Sequence, residues 1–249
     1  MRRPIVSNQI CTRSERDTMR SVDVIMLSDT RNGEFHAMTC RALDTLRASE
    51  DETEFVVHIV ESNRKFTRSG FSYPGVDFVL PNERFAYNRF LNHGLKHCTQ
   101  DWLVIANNDL TFTKGWFSTL MHVHDCDPGI LSLSPWEPDW HSLKGVTPDG
   151  EYMLGYRAGR EVAGWCLVLH HSLVTRCSLF DEQFEFWYQD NDYAMTLKQH
   201  GIKHALVPGS VVHHHVSSSS ADFSWWQNFR MKTVQRARYV KKWGRNFPR

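Results

Sequence analysis

In its first half the chain runs three times through a short apolar stretch and stops each time in a cluster of small polar side chains. "VDVIML" (22–27) ends in Ser28, Asp29 and Thr30, "EFVVHIV" (54–60) in Glu61, Ser62 and Asn63, and "WLVIA" (102–106) in Asn107, Asn108 and Asp109. A run with so little polar alternation is buried on both faces, as strands inside a parallel sheet are. "FHAMTCRALDTLRAS" lies between the first two, with Phe35, Met38, Ala42, Leu43 and Leu46 at helical intervals, and "NRFLNHGLKHC" repeats a helical pattern before the third. Strand, helix, strand in succession predicts an α/β fold, Rossmann-like, with a mostly parallel sheet flanked by helices. Parallel strands carry their carboxyl ends to one edge, where open α/β sheets bind ligands, so the three polar clusters converge.

Beyond residue 110 the pattern loosens. "TKGWFSTLMHVHD" reads as a helix and "GILSLSP" as a strand, whereas "WEPDWHSLKGVTPDGEYMLGYRAG" is an irregular segment rich in Pro, Gly and Trp. Such a segment in a compact domain is more often a functional loop than a spacer. "VAGWCLVLHHSLV" follows as a strand running into a short helix, then "FDEQFEFWYQDNDYAMTLKQHG" with its last Gly as a helix cap. "KHALVPGSVVHHHV" closes the core as one or two short strands.

The formal net charge of +1 leaves the whole molecule without a strong field, so an anionic partner has to be met by a local patch. One exists: residues 230–249 hold Arg230, Lys232, Arg236, Arg238, Lys241, Lys242, Arg245 and Arg249 and no acid. A basic amphipathic helix there would suit an anionic membrane or the phosphates of DNA, and a solvated tail is the plain alternative. Six cysteines without a C-x-x-C pair argue against a zinc ribbon and a disulfide scaffold, which points to reduced thiols in a cytoplasmic protein. "MRRPIVSNQICTRSERDTMR" has basic residues with no apolar run behind them, which is neither a signal-peptide nor an anchor pattern. Cytoplasmic residence is therefore expected, peripheral to a membrane if the basic segment binds one.

A carboxylate at the open end of a buried strand is often a turn or cap residue. Asp109 stands in a polar crevice, however, and a hard divalent cation needs few protein carboxylates when substrate phosphates complete its shell. The segment "NHGLKHCTQDWLVIANNDL" resembles the N-x-G, helix, strand, N-x-D stretch of family 2 glycosyltransferases with the GT-A fold. "GWCLVLHHSLVTRCSLFDEQFEFWYQDNDYAMTLKQHGIKHALVPGSVVHHH" is similar to that family's F-D-E-x-F, E-D-x-D and closing valine-rich, histidine-bearing block. The resemblance covers roughly residues 22–216.

This resemblance implies an inverting hexosyl- or pentosyltransferase that moves a sugar from a nucleoside diphosphate sugar, with a UDP-sugar the expected donor. It divides the chain into a polar arm (1–20), a GT-A domain (21–216) and a basic aromatic extension (217–249). Within the domain, 21–110 would be the nucleotide-sugar half and 111–216 the acceptor half. Asp109, as the last residue of a variant D-x-D, would hold Mn²⁺ or Mg²⁺, and the family pattern puts a metal-proximal histidine on His214. Strand parity sends His213 and His215 to the face opposite His214. Ser28, Thr30, Glu61, Asn63, Asn88, Asn92, Asn107 and Asn108 would surround the donor. Asp190 falls on the catalytic base and Asp192 on a supporting carboxylate, while Gln189 stands where the family has Glu. Trp165, Trp187 and Gln189 would meet the acceptor, either a glycan or lipid-linked sugar or a hydroxymethylated DNA base. A module that keeps the fold and binds sugar nucleotides or carbohydrate without turnover is the alternative.

Overall fold

The structure, a computed structural model, describes residues 19–215 and 225–247, the side chains of 225–228 and 230 excepted. The N-terminal arm up to residue 18, Cys11 and the serine run at 217–220 lie outside the described residues. The elements are β1 (Arg20–Ser28), α1 (Gly33–Ala48), β2 (Thr53–Glu61), β3 (Asp77–Val79), α2 (Tyr87–Leu95), β4 (Trp102–Asn107), β5 (Leu110–Phe112) and α3 (Trp116–Cys126). They continue with β6 (Ile130–Trp136), α4 (Pro138–Ser142), β7 (Met153–Leu154), β8 (Cys166–His170), α5 (Ser172–Arg176), α6 (Gln189–Gln199), β9 (Lys203–His214) and α7 (Trp225–Trp243).

The strands form one sheet in the order β3-β2-β1-β4-β8-β6-β9-β5, with β7 on β9. β1, β2, β3 and β4 are parallel. β8 runs antiparallel to both β4 and β6, and β9 runs parallel to β6. β4, β6 and β9 therefore point the same way, and the reversed β8 begins where they end.

Burial on both faces accounts for the unbroken apolar runs. Val22, Val24 and Met26 of β1 pack in one cluster with Ala42, Leu43 and Leu46 of α1, whereas Ile25 packs in another with Phe90 and Leu91 of α2. A Cβ on Gly94 would lie 2.8 Å from Ile25 Cγ2, so only glycine lets α2 seat this closely on the sheet. Asn32 caps α1 by accepting from Glu34 N and Phe35 N through Oδ1.

Three elements add to the expectation. The segment "KHALVPGSVVHHHV" is one long strand, and its Pro208 falls in the register shift that takes Pro135↔Val207 to Trp136↔Val211, where a missing N–H costs no ladder bond. The irregular 137–160 region contains α4 and β7. Residues 225–243 form α7, which is packed against the domain, with Tyr239 fully buried and Gln235 2% exposed. No helix among the described residues is long and apolar enough to cross a membrane.

Candidate active site

The polar clusters do meet at the carboxyl edge of the sheet. At the ends of β1 and β2, Thr30 N donates to Glu61 Oε1 at 3.0 Å and Thr30 Oγ1 to Glu61 Oε2 at 2.7 Å. Asn63 N donates to the same carboxylate at 2.7 Å, and Asn63 Nδ2 reaches Thr30 O at 2.5 Å. Ser28 Oγ lies 3.0 Å from Thr30 Oγ1, and the Tyr73 hydroxyl 2.5 Å from it. Glu61 is fully buried and ties together the loops after β1 and β2. Tyr73 arrives from a loop with no periodic signature, and nothing near it in the sequence announces the contact.

One strand further, Asp109 Oδ1 lies 3.2 Å from His214 Nε2, which joins the turn after β4 to the end of β9. Asp109 is 4% exposed. The ring of His214 stacks on Trp165, centroids 5.7 Å apart and planes 21° from parallel. His215 turns to the other face, where Nε2 meets Thr111 Oγ1 at 2.7 Å, in keeping with the expected alternation. Asn107 N donates to Trp165 O, and Asn108 Nδ2 to Thr39 Oγ1 of α1, so these neighbours fix the backbone that presents Asp109.

Asp190 opens α6 and is half-buried. A Cβ on Gly164 would lie 3.0 Å from Asp190 Oδ2, which sets the carboxylate against the bare backbone just ahead of Trp165. Burial raises the Asp190 pKa above the usual carboxylate value. The Tyr87 hydroxyl donates to Gly164 O at 3.4 Å. Burial first, then the charges of Asp190, Cys166 and Asp109, push the Tyr87 phenol up, so it stays a proton donor. Tyr87, too, was invisible in the sequence.

The turn before Asp190 is strained and braced. Tyr188, at φ 67°, is the one non-glycine residue with positive φ among those described, a conformation that costs about 1–2 kcal/mol. Gln235 of α7 compensates from behind, its Oε1 accepting from Phe186 N at 3.1 Å and Trp187 N at 2.8 Å. Lys232 Nζ stands 4.2 Å from the Trp187 ring. Trp187 Nε1 and Gln189 Oε1 are buried polar atoms with no hydrogen-bond partner among the described residues, and both belong to the stretch that leads into Asp190.

Three expected site residues are turned elsewhere. Asp192 is fully buried, and its carboxylate accepts from Trp243 Nε1 at 2.6 Å and lies 2.8 Å from Lys242 Nζ. Two positions along a helix are about 200° apart, so Asp190 and Asp192 cannot share a face. Asn88 Nδ2 bonds Asp181 O, and Asn92 Nδ2 bonds Phe180 O and Glu182 Oε1, which ties α2 to the segment leading to α6. Their amides hold two halves of the domain together.

A carboxylate beside an imidazole fits a divalent ion such as Mn²⁺, which accepts both oxygen and nitrogen donors. Another group with metal-ligating atoms close together, Asp23, His58 and Cys98, is fully enclosed nearer the start of β1. There the Asp23 carboxylate is already occupied by His58 Nε2 and by the backbone N–H groups of Thr99 and Gln100.

No protein-family model matches the chain, and no curated protein does. Solved structures do. A mannosyltransferase, PcManGT from Pyrobaculum calidifontis, in complex with GDP-Man and Mn²⁺, superposes with a TM-score of 0.57 at 17% identity over 88% of this chain and 64% of its own. GalNAc-T7 with UDP, GalNAc and Mn²⁺ superposes with a TM-score of 0.58 at 13% identity over 80% of this chain and 44% of its own. The fold is GT-A. The chain thus spans less than two thirds of either neighbour, and the GT-A sheet places the Asp109–His214 pair and the Asp190 turn on either side of Gly164 and Trp165.

Proposed function

We propose that the protein is a metal-dependent, inverting glycosyltransferase that uses a nucleoside diphosphate sugar, with a UDP-sugar as first choice, and a glycan hydroxyl as acceptor. The observation that carries this reading is the presence of two unlike carboxylates, one on the side of Trp165 and one on the side of Gly164. Asp109 is paired with an imidazole, and Asp190 is half-buried, with its pKa raised by burial. Environments that push two acids toward different behaviour are the usual sign of separate roles.

Asp109 and His214 would hold the ion, whose positive charge would offset the negative charge of the donor diphosphate. Asp190 takes the proton from the acceptor hydroxyl as its oxygen attacks the anomeric carbon on the face opposite the leaving diphosphate, so the configuration inverts. Its raised pKa makes it a stronger base than a solvated carboxylate. Trp187 Nε1 and Gln189 Oε1, one donor and one acceptor without partners among the described residues, suit a polyhydroxylated acceptor beside that base.

A glycan is favoured over DNA because two of the cations of this segment are bonded to the domain itself, although Lys232, Arg236, Lys241 and Arg245 stay exposed. Arg238 bonds Gln183 O and Glu185, and Lys242 bonds Asp181 and Asp192. Those two charges are partly neutralised before any phosphate arrives, which reduces what the segment offers to a nucleic acid.

Calorimetric titration of UDP, GDP and CDP, with and without Mn²⁺, tests the donor half beside Asp109→Ala. Metal-dependent binding of one nucleotide, abolished in the variant, is expected. Failure of all of them to bind would return Asp109 to being a turn residue.

A further inference from the structure

β6 runs parallel to β4, so α4, the first element past β6, lies on the rim of the same crevice. It carries Trp140, which is 45% exposed yet held in place. The Trp140 backbone N–H donates to Glu137 Oε2 at 2.5 Å, and its indole N–H donates to Gly159 O at 2.7 Å. Gly159 has φ +71°, and a Cβ there would stand 3.5 Å from Trp140 Cζ2, so the ring rests on bare backbone.

The helix beneath is equally fixed. His141 is fully buried, with Nδ1 accepting from Glu137 N at 2.7 Å and Nε2 donating to Arg160 O at 2.9 Å. Its ring lies 5.9 Å from Trp165, the same ring that stacks on His214 beside Asp109. Trp140 therefore rides on a helix joined through ring contacts to the candidate metal ligands.

A large aromatic held immobile in water has lost side-chain entropy without the usual return of burial. Its one polar atom is already satisfied by Gly159 and Lys144 Nζ stands over the ring, so the π-surface that the ammonium leaves open is what remains to offer a ligand. A pyranose matches that surface, since one side of the ring is lined by C–H groups and its edge by hydroxyls. Lys144 Nζ, 4.8 Å from the Trp140 ring, adds a donor for such hydroxyls.

We propose that Trp140 is a stacking platform for a sugar unit of the acceptor other than the one that receives the transfer. The acceptor is thereby an oligosaccharide, and this rests on the transferase reading for its meaning but not for its test.

The experiment titrates linear gluco-, manno- and galacto-oligosaccharides of one to four units into the full chain loaded with UDP and Mn²⁺, for the unmodified protein, Trp140→Ala and Trp140→Phe. One series should bind more tightly with length. Trp140→Ala should lose about tenfold for the longer members, Trp140→Phe should lose less, and UDP binding should not change. Equal affinity of all three proteins for every saccharide, or no saccharide binding at all, overturns the proposal. A parallel arm uses anionic phospholipid vesicles, because Leu143 beside the platform is 83% exposed. Vesicle binding lost in Trp140→Ala, with saccharides indifferent, would assign the ring to a lipid surface and overturn it equally. Saccharide binding that needs Trp140 in a protein that ignores UDP would keep the platform and remove the transferase.

Discussion

The carboxylate of Asp192 and the indole of Trp243 meet at 2.6 Å, which fastens the end of α7 to the inner face of α6. Lys242 bonds the same carboxylate and that of Asp181, so the basic C-terminal segment works first as a clasp on its own domain. Asp192→Ala should leave the Trp243 N–H without its buried acceptor and lower stability by about 2–3 kcal/mol, measured by urea unfolding. Nucleotide binding in the folded variant should persist, because Asp192 faces away from the crevice.

Asp190→Asn should do the reverse. General-base removal is expected to cost about 10²–10⁴ in turnover. A carboxyl whose pKa is raised by folding contributes stability while protonated, below its unfolded value, and loses it as pH rises through the folded value. At neutral pH the buried charge is therefore a burden, and the amide variant should melt at a higher temperature than the parent. For the same reason the acidic limb of the pH–rate profile should lie above the ordinary carboxylate range. Retained transfer in Asp190→Asn would remove the base assignment.

Gln235 braces the turn that delivers Asp190 by accepting from two successive backbone N–H groups. Gln235→Leu should strand both donors and cost about 2 kcal/mol or more. Turnover should fall with nucleotide affinity intact, and Gln235→Glu, which keeps an acceptor oxygen, should recover most of it. A turnover loss that Glu fails to rescue would argue against this bracing.

Acid should weaken the protein through His204, fully buried under the sheet between Ser132 Oγ and Glu161 O. Burial lowers its pKa to about 4, so the unfolded chain binds a proton between about pH 6.5 and 4 that the native state refuses. Stability present above pH 6.5 should decline by on the order of 3 kcal/mol across that window. Melting temperatures in a pH series test this, and a flat profile would contradict it.

Much of this was legible because the relevant signals are local. Double-sided burial left β1, β2 and β4 as apolar runs, and strand parity alone separated His214 from its neighbours. Asp109 and Asp190 stand at element ends, where short-range patterns are strongest. The partners of Asp192, Asn88, Asn92 and Glu61 were not legible, because a polar side chain in a motif does not disclose which partner it will find. The partner of Asp192 lies 51 residues downstream, and that of Asn88 lies 93. Tyr73, Tyr87 and Gln235 matter only through such distant contacts, and no spacing rule reports them.

The reversed β8 gives the crevice two kinds of chain end. Asp109 comes after a strand and inherits its position from the path behind it, whereas Gly164 and Trp165 come before one and are held by the path ahead. Changes in the segment from α4 to β8 can therefore reshape what lies across from Asp109 without disturbing the strand that presents it. Under the proposed function, donor chemistry and acceptor choice would sit on stretches of backbone that can vary separately.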